Sequence, residues 1–240
     1  YSGDQYTLNG LQQATHDMLI INPAEYSENG REVLWEADDL AFIKSGAVDQ
    51  LFGYVSTSKI NTYITQWNTD WTVDGTATGA LTTQGQAVTW LGAVDTGFAG
   101  TRDANYWDLG WHEIMFDRID MMINQGFTGT LLDDAGEFFE RRLEGLTQGT
   151  PAFVAQVQAN AVAMRDLIIA IREHADISMA AKMGIAVNQL TNDTRFQLYV
   201  NGAPYVITDA LGFDTFAEAL AVPATQNYLN AIDGILAENW

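Results

Sequence analysis

Between Tyr106 and Phe139 the chain reads YWDLGWHEIMFDRIDMMINQGFTGTLLDDAGEFF, a helix followed by a buried strand that ends in two adjacent carboxylates. Trp111, Ile114, Met115, Ile119, Met122 and Ile123 recur at helical spacing, which predicts an amphipathic helix from Leu109 to Ile123. Asp117, Arg118 and Asp120 fall between them, on the expected wet face. Gln125-Gly126 closes the helix, because glycine reaches the left-handed conformation that a C-terminal cap needs. The run Thr128 to Leu132 then delivers Asp133 and Asp134. Acids at the C-terminal tip of a buried strand are how a (β/α)₈ barrel presents catalytic groups. The plainer alternative is that one of them caps the next helix.

The rest of the chain alternates strand and helix signals. His16 to Asn22, stopped by Pro23, predicts a first strand, and Glu32 to Ser45 a helix closed by Gly46. Leu51 to Ser56 predicts a second strand, Thr72 to Gly85 a Thr/Gly-rich loop and Ala87 to Val94 a third strand. Strand four is the run into Asp133. Pro151 suits a first helical turn, and the longest helix is expected from there to His174. Met183 to Leu190 and Tyr205 to Leu211 predict strands five and six, and roughly Pro223 to Ala237 a last helix. Strands separated by segments of this length imply crossover connections and a parallel sheet. The expectation is one α/β domain over residues 1–240, a (β/α)₈ barrel that is incomplete, since six strands are legible where closure needs eight. Further domains or another chain would then complete it.

Charge narrows the partners. The 240 residues carry 31 acids against 11 bases, a net charge of −20, which argues against nucleic-acid binding. It permits a cationic ligand, and solubility in salty surroundings accounts for it as well. Without cysteine there is neither disulfide nor thiolate chemistry. His16, His112 and His174 show no zinc-type spacing. The clusters Asp38-Asp39, Asp133-Asp134 and Asn192-Asp193 lack the spacing of an EF-hand loop. Phosphate-binding glycine motifs are absent, and so is a G-x-S-x-G elbow around Ser56 or Ser58. Neither metal nor cofactor is expected. The sequence is read as containing no 18-residue apolar run, so no membrane span is expected. The chain opens on Tyr1, as a processed or excised segment would.

Several segments resemble the endo-α-1,4-polygalactosaminidase family of glycoside hydrolases (family 114). The family's second strand, followed by an aromatic segment, is matched by Gly53-Tyr54-Val55-Ser56 and then Tyr63 and Trp67. Its YW…W, D-R and GFDGv-LD motifs are matched by Tyr106-Trp107, Trp111, Asp117-Arg118, and Gly126-Phe127-Thr128-Gly129 running into Leu132-Asp133. Asn188 and Asp209 fall at family-like positions on the expected strands five and six. The similarity spans most of Leu11 to Asp214 and is specific only around Tyr106 to Asp133. It implies a secreted, extracellular glycosidase with a barrel fold. Such an enzyme cleaves an α-linked amino-sugar polysaccharide with two strand-end carboxylates, here Asp133 and Asp214. The family's partner acid is usually a glutamate, so Asp214 is one methylene shorter.

Two more acidic positions differ. The family's S-x-G-E reads Ser56-Thr57-Ser58-Lys59 here, and a further aspartate is replaced by Gly136 with Glu137 beside it. Tyr54, Tyr106, Trp107, Asp134, Glu137, Asn188 and Asp209 are the expected substrate-binding residues. Trp90 and Trp111 read more simply as core. Because three family acids are altered, the alternative is a non-catalytic carbohydrate-binding or structural barrel, one module of a larger extracellular protein.

Overall fold

The computed structural model describes residues 7–26, 32–202, 206, 208, 212 and 215–236. Its strands are β1 (Met18–Ile21), β2 (Ala24–Tyr26), β3 (Glu32–Leu34), β4 (Gln50–Ser56) and β5 (Lys59–Asn61), then β6 (Leu91–Val94), β7 (Thr101–Ala104), β8 (Gly129–Asp133), β9 (Gln197–Asn201) and β10 (Gly234–Leu236). The helices are α1 (Leu8–Gln12), α2 (Ala37–Lys44), α3 (Thr83–Gln86), α4 (Leu109–Gln125), α5 (Pro151–Met183), α6 (Phe216–Leu220) and α7 (Pro223–Ala231).

Five strands form one parallel sheet in the order β1-β4-β8-β9-β10, which is also their order in the chain. Sequential order with parallel pairing is the layout of a (β/α) barrel. Among the described residues the sheet stops at five strands, so it is a curled half-barrel and not a closed (β/α)₈ barrel. A second sheet, β5-β7-β6, is antiparallel and flanks it.

Helix α4 forms where the apolar spacing placed it. Asp108 accepts from the Gly110 N–H at 2.8 Å at its start, and Gly126 ends it at φ 99°. Its face of Trp111, Met115, Ile119, Met122 and Ile123 is buried against the sheet. Gly53 of β4 permits the close approach, since a Cβ there would sit 2.3 Å from Met122 Sδ. Arg118, expected on the wet face, is instead buried. Its guanidinium forks onto Glu32 at 3.0 and 3.1 Å and reaches Gln66 Oε1 at 3.0 Å. Glu32 also accepts the Thr65 N–H at 2.8 Å, so this pair ties the β2–β3 hairpin and the 61–67 loop to α4.

Other expectations are corrected. The segment from Glu32 begins as strand β3, and helix starts only at Ala37, where Asp39 accepts the Glu36 N–H at 3.2 Å. Of Ala87 to Val94 only Leu91–Val94 is strand, and it lies in the antiparallel sheet. Its neighbour Trp90 turns inward between Trp71 and Trp111, with ring centroids 5.1 and 5.3 Å away. Helix α5 runs past His174 to Met183, because Ala-rich sequence offers no breaker before Gly184, its left-handed cap. Met183 to Leu190 is therefore the end of that helix and a 3₁₀ turn, and the strand comes later, at β9. Of Tyr205 to Leu211 only Val206 and Thr208 are described, both helical. The last helix stops at Ala231, and β10 follows it.

By length and composition α5 is apolar enough to cross a membrane. Here Val157, Met164, Leu167, Ile168 and Ile171 lie along its buried face. Buried Arg172 on the same helix donates to the carbonyls of Phe196 and Ala231 and pairs with Asp176 and Asp233.

Of the ten described lysines and arginines, nine donate to carbonyls or pair with acids, and Arg142 lies over the Trp107 ring. Lys44 and Lys182 both donate to carbonyls at the C-terminal end of α4. Arg102 donates to the carbonyls of Ala77, Gly79 and Gly92, closing the Thr/Gly-rich loop. Arg195 pairs with Asp176, and Arg165 with Asp166. With its cations so committed, a chain of net charge −20 repels itself at the surface. Raising NaCl from 0.1 to 1 M is expected to raise Tm by a few degrees in calorimetry. An unchanged or lower Tm would show that surface repulsion is not a significant term. Arg118→Ala leaves Glu32 buried and unpaired, for an expected loss of about 3–5 kcal/mol in urea unfolding. The double variant Arg118→Met/Glu32→Leu should lose less; an equal or larger loss would mean that packing, not the stranded charge, sets the effect.

Candidate functional site

Register places the site. Tyr54 of β4 pairs with Leu131 of β8, which pairs with Tyr199 of β9, and one layer higher Ser56 pairs with Asp133. Side chains alternate along a strand, so Tyr54, Ser56, Asp133, Tyr199 and Asn201 belong to one face of the sheet, at its C-terminal end. Three strands thus converge on one carboxylate. Asp133 Oδ2 accepts from the Tyr54 hydroxyl at 2.7 Å, and Oδ1 accepts from Asn201 Nδ2 at 2.8 Å. Its carbonyl accepts the Thr57 N–H at 2.9 Å and the Thr57 hydroxyl at 2.7 Å, which fixes the backbone beneath it. Burial, and then the Asp133 carboxylate beside it, push the Tyr54 phenol far above its ordinary range. It therefore stays a hydrogen-bond donor throughout the pH range in which the fold is tested. A carboxylate has about four acceptor sites, so Asp133 keeps capacity for a ligand.

Asp134 faces a different environment. Its backbone turns to φ 60°, ψ 16°, a left-handed conformation that Asp tolerates better than most residues. Ser56 donates to its Oδ2, and Lys59 Nζ lies 3.8 Å from its Oδ1. Burial pushes the carboxyl up to about 6; Asp133 and Glu137 push the same way, while Ser56 and Lys59 oppose them.

Lys59 is the hub of the adjoining charge network, 2.7 Å from Glu137 Oε1 and 3.2 Å from Asp95 Oδ2. Burial disfavours its charge, but Glu137, Asp134 and Asp95 outweigh that and hold its pKa above the ordinary value. Arg141 extends the network to the other oxygen of Glu137, at 2.7 Å, and to Asp103.

Of the expected site residues, Tyr54, Asp133, Asp134 and Glu137 come together. Tyr106 is fully buried, with its ring edge-on to Trp107 at 5.0 Å. Arg142 covers one face of the Trp107 ring at 3.6 Å. Asn188 lies in the 3₁₀ turn after α5, ahead of the N-terminal end of β9 and so at the opposite end of the sheet from Asp133. It moved there because the expected strand is helix. Asp209 and Asp214 lie outside the described residues. Asn201 and Lys59 were not singled out as site residues by sequence. For Asn201 the signal was present, in the apolar Leu198 and Val200 alternating toward a strand end before Gly202.

Among the described residues no group of three or more His, Asp or Glu side chains is arranged to hold a metal ion. Ser178, His174 and Asp120 do meet between α4 and α5. However, Ser178 donates at 2.5 Å to the same Asp120 oxygen that His174 Nε2 contacts at 2.9 Å, so the histidine does not bridge serine and acid.

No family model matches the chain. An uncharacterized protein of Deinococcus radiodurans is 25% identical over 173 residues, covering 71% of this chain and 50% of that protein. The glycoside hydrolase domain of PelA from Pseudomonas aeruginosa is structurally similar, with a TM-score of 0.55 at 12% identity over 99% of this chain and 64% of that one. A variant of the same domain gives a TM-score of 0.52 at 13% identity, over 88% and 61% of the two chains. The chain thus spans about half of its curated relative and under two thirds of the PelA domain chains. It shares the fold of glycoside hydrolase domains.

Asp134 yields a pH test. Its carboxyl is raised from 3.8 to about 6, so the folded state binds the proton more tightly than the unfolded one. Stability therefore falls as pH rises from about 4 to about 6, by on the order of 3 kcal/mol, with the full loss present above pH 6. Asn accepts the left-handed turn and cannot ionise, so Asp134→Asn should gain stability relative to wild type over that window in urea titrations. Parallel curves for the two proteins would refute the assignment.

Proposed function

We propose that this chain is a glycoside hydrolase acting on an α-linked amino-sugar polysaccharide, with Asp133 as its essential carboxylate. The observation that carries the reading is the hold on Asp133. The acid stands at the tip of the middle strand of a half-barrel, and each oxygen takes a neutral hydrogen bond from a neighbouring strand. A carboxylate held in this way is positioned for attack on the anomeric carbon or activation of water, while a second acid protonates the leaving oxygen. We assign that second role to Asp214. The fold shared with the PelA glycoside hydrolase domain supports the reaction class. A net charge of −20 would draw a polycationic amino-sugar chain toward the protein. A polymer of that kind is met outside the cell, so we propose an extracellular, secreted enzyme.

One observation favours the other reading, a carbohydrate-binding module without hydrolysis. Glu137, the next acid along the chain, is held in two ion pairs, to Lys59 and Arg141.

The test is release of reducing ends from a polysaccharide panel that includes de-N-acetylated galactosamine polymer. Wild type is expected to cleave at least one polymer. Asp133→Asn should lower the rate by about a hundredfold or more. Tyr54→Phe, which keeps the ring but removes the donor, should lower it by roughly tenfold. Failure of folded wild type to cleave any polymer would overturn the hydrolase in favour of the binding module.

A further inference from the structure

A second cleft adjoins the candidate site and shares Lys59 with the smaller one beside Tyr54. It opens between the β6–β7 hairpin and the segment after Asp134, with a cavity volume of about 440 Å³, within the range of small-ligand sites. Phe98, Asp103, Glu137, Glu140 and Arg141 line it together with Lys59.

Phe98 is 60% exposed, at the tip of the hairpin. The backbone that carries this ring is held by hydrogen bonds, and a lysine packs on the ring itself. Asp95 Oδ1 accepts the N–H of Gly97 at 2.7 Å and of Phe98 at 3.3 Å. The Phe98 carbonyl accepts from the Thr101 N–H and hydroxyl at 3.3 and 2.7 Å. The Lys59 ammonium sits 4.3 Å from the ring centroid. One cation therefore braces the ring, the hairpin acid Asp95, and Glu137 across the cleft.

The charges in the cleft do not balance. Asp95, Asp103, Glu137 and Glu140 face only Lys59 and Arg141 as cations. Those two bases are engaged by Asp95, Glu137 and Asp103, and among the described residues Glu140 forms no ion pair. An exposed aromatic face and an unneutralised carboxylate lining one cleft fit a protonated hexosamine. The C–H face of its ring would stack on Phe98 and its ammonium would meet Glu140.

We propose that this cleft binds a second amino-sugar unit of the same polymer, away from the unit at Asp133, with Phe98 as the stacking platform and Glu140 as the ammonium acceptor. The assignment rests on the amino-sugar reading of the substrate. It makes chain length matter, because an oligomer must reach from Asp133 to this cleft to gain the contact.

The test is calorimetric titration of de-N-acetylated α-1,4-galactosamine oligomers of two and of six units, beside their N-acetylated forms. Wild type, Asp133→Asn, Phe98→Ala, Phe98→Leu and Glu140→Gln are compared, each checked for folding by circular dichroism. Expected is hexamer binding weakened about tenfold by Phe98→Ala and by Glu140→Gln, with Phe98→Leu close to Phe98→Ala because it keeps apolar cover without a flat face. Dimer binding should be unchanged, and N-acetylated hexamer should be insensitive to Glu140→Gln. Hexamer affinity unchanged in both Phe98→Ala and Glu140→Gln would overturn the cleft, even if Asp133→Asn abolishes hydrolysis. Weakening by these variants in a protein that cleaves nothing would support the cleft and remove the hydrolase. If wild type binds no amino-sugar oligomer, both assignments fall.

Discussion

Five residues of β4 run parallel to five of β8, from Phe52 beside Gly129 to Ser56 beside Asp133. This ladder sets the alternation that puts Tyr54 and Ser56 on the face of the two acids. A slip of one residue would send both toward the helices and leave Asp133 beside Val55 or Thr57. The register is held from the other face by apolar packing. Gly53 admits Met122 of α4, and Val55 and Leu132 are buried. Thr130 Oγ1 also donates to the Gly53 carbonyl across the two strands at 2.7 Å. The geometry at Asp133 is thus a consequence of how α4 seats on the sheet, and α4 is the element the sequence specifies most strongly.

Scarcity of cations shapes the rest. Arg118, Arg102 and Arg172 are all buried, and each bonds segments far apart in the chain. Arginine suits this work because its planar fork serves several acceptors at once. Lys59 does the comparable task at the site with a point charge, among Asp95, Asp134 and Glu137. Lys59 thus neutralises acids that the chain gathers from separate segments. The outer surface keeps the uncompensated negative charge.

What the sequence made legible follows from signal length. Helix α4, its Gly126 cap and the strand into Asp133 were readable because periodicity, cap and apolar run agree over more than twenty residues. Strands β9 and β10 were not, being five and three residues long and set between stronger helical signals. The run Met183 to Leu190 misled because isolated apolar residues beside Gly184 fit a short strand as well as a helix end. Arg118 misled for another reason. Periodicity separates apolar from polar positions, but it cannot see that Glu32, 86 residues away, is brought over to neutralise a buried guanidinium. The tip acid was likewise legible, whereas Asn201 becomes its neighbour only through parallel pairing of β8 with β9.

Asp133 and Asp134 show how two identical side chains, adjacent in sequence, acquire different surroundings. Strand geometry ends between them. Asp133 keeps the extended backbone and accepts from neutral donors on both flanking strands. The left-handed turn at Asp134 carries the second carboxyl away into a more enclosed setting, where burial favours the proton and only one hydroxyl and one distant ammonium oppose it. Had the backbone stayed extended, alternation would have pointed Asp134 at the helix layer beside Leu132 and Val55, where a carboxyl has no partner. The turn is therefore what makes a second acid at the sheet tip tolerable. It also starts the 135–139 segment that brings Glu137 to Lys59, where it lines the larger cleft.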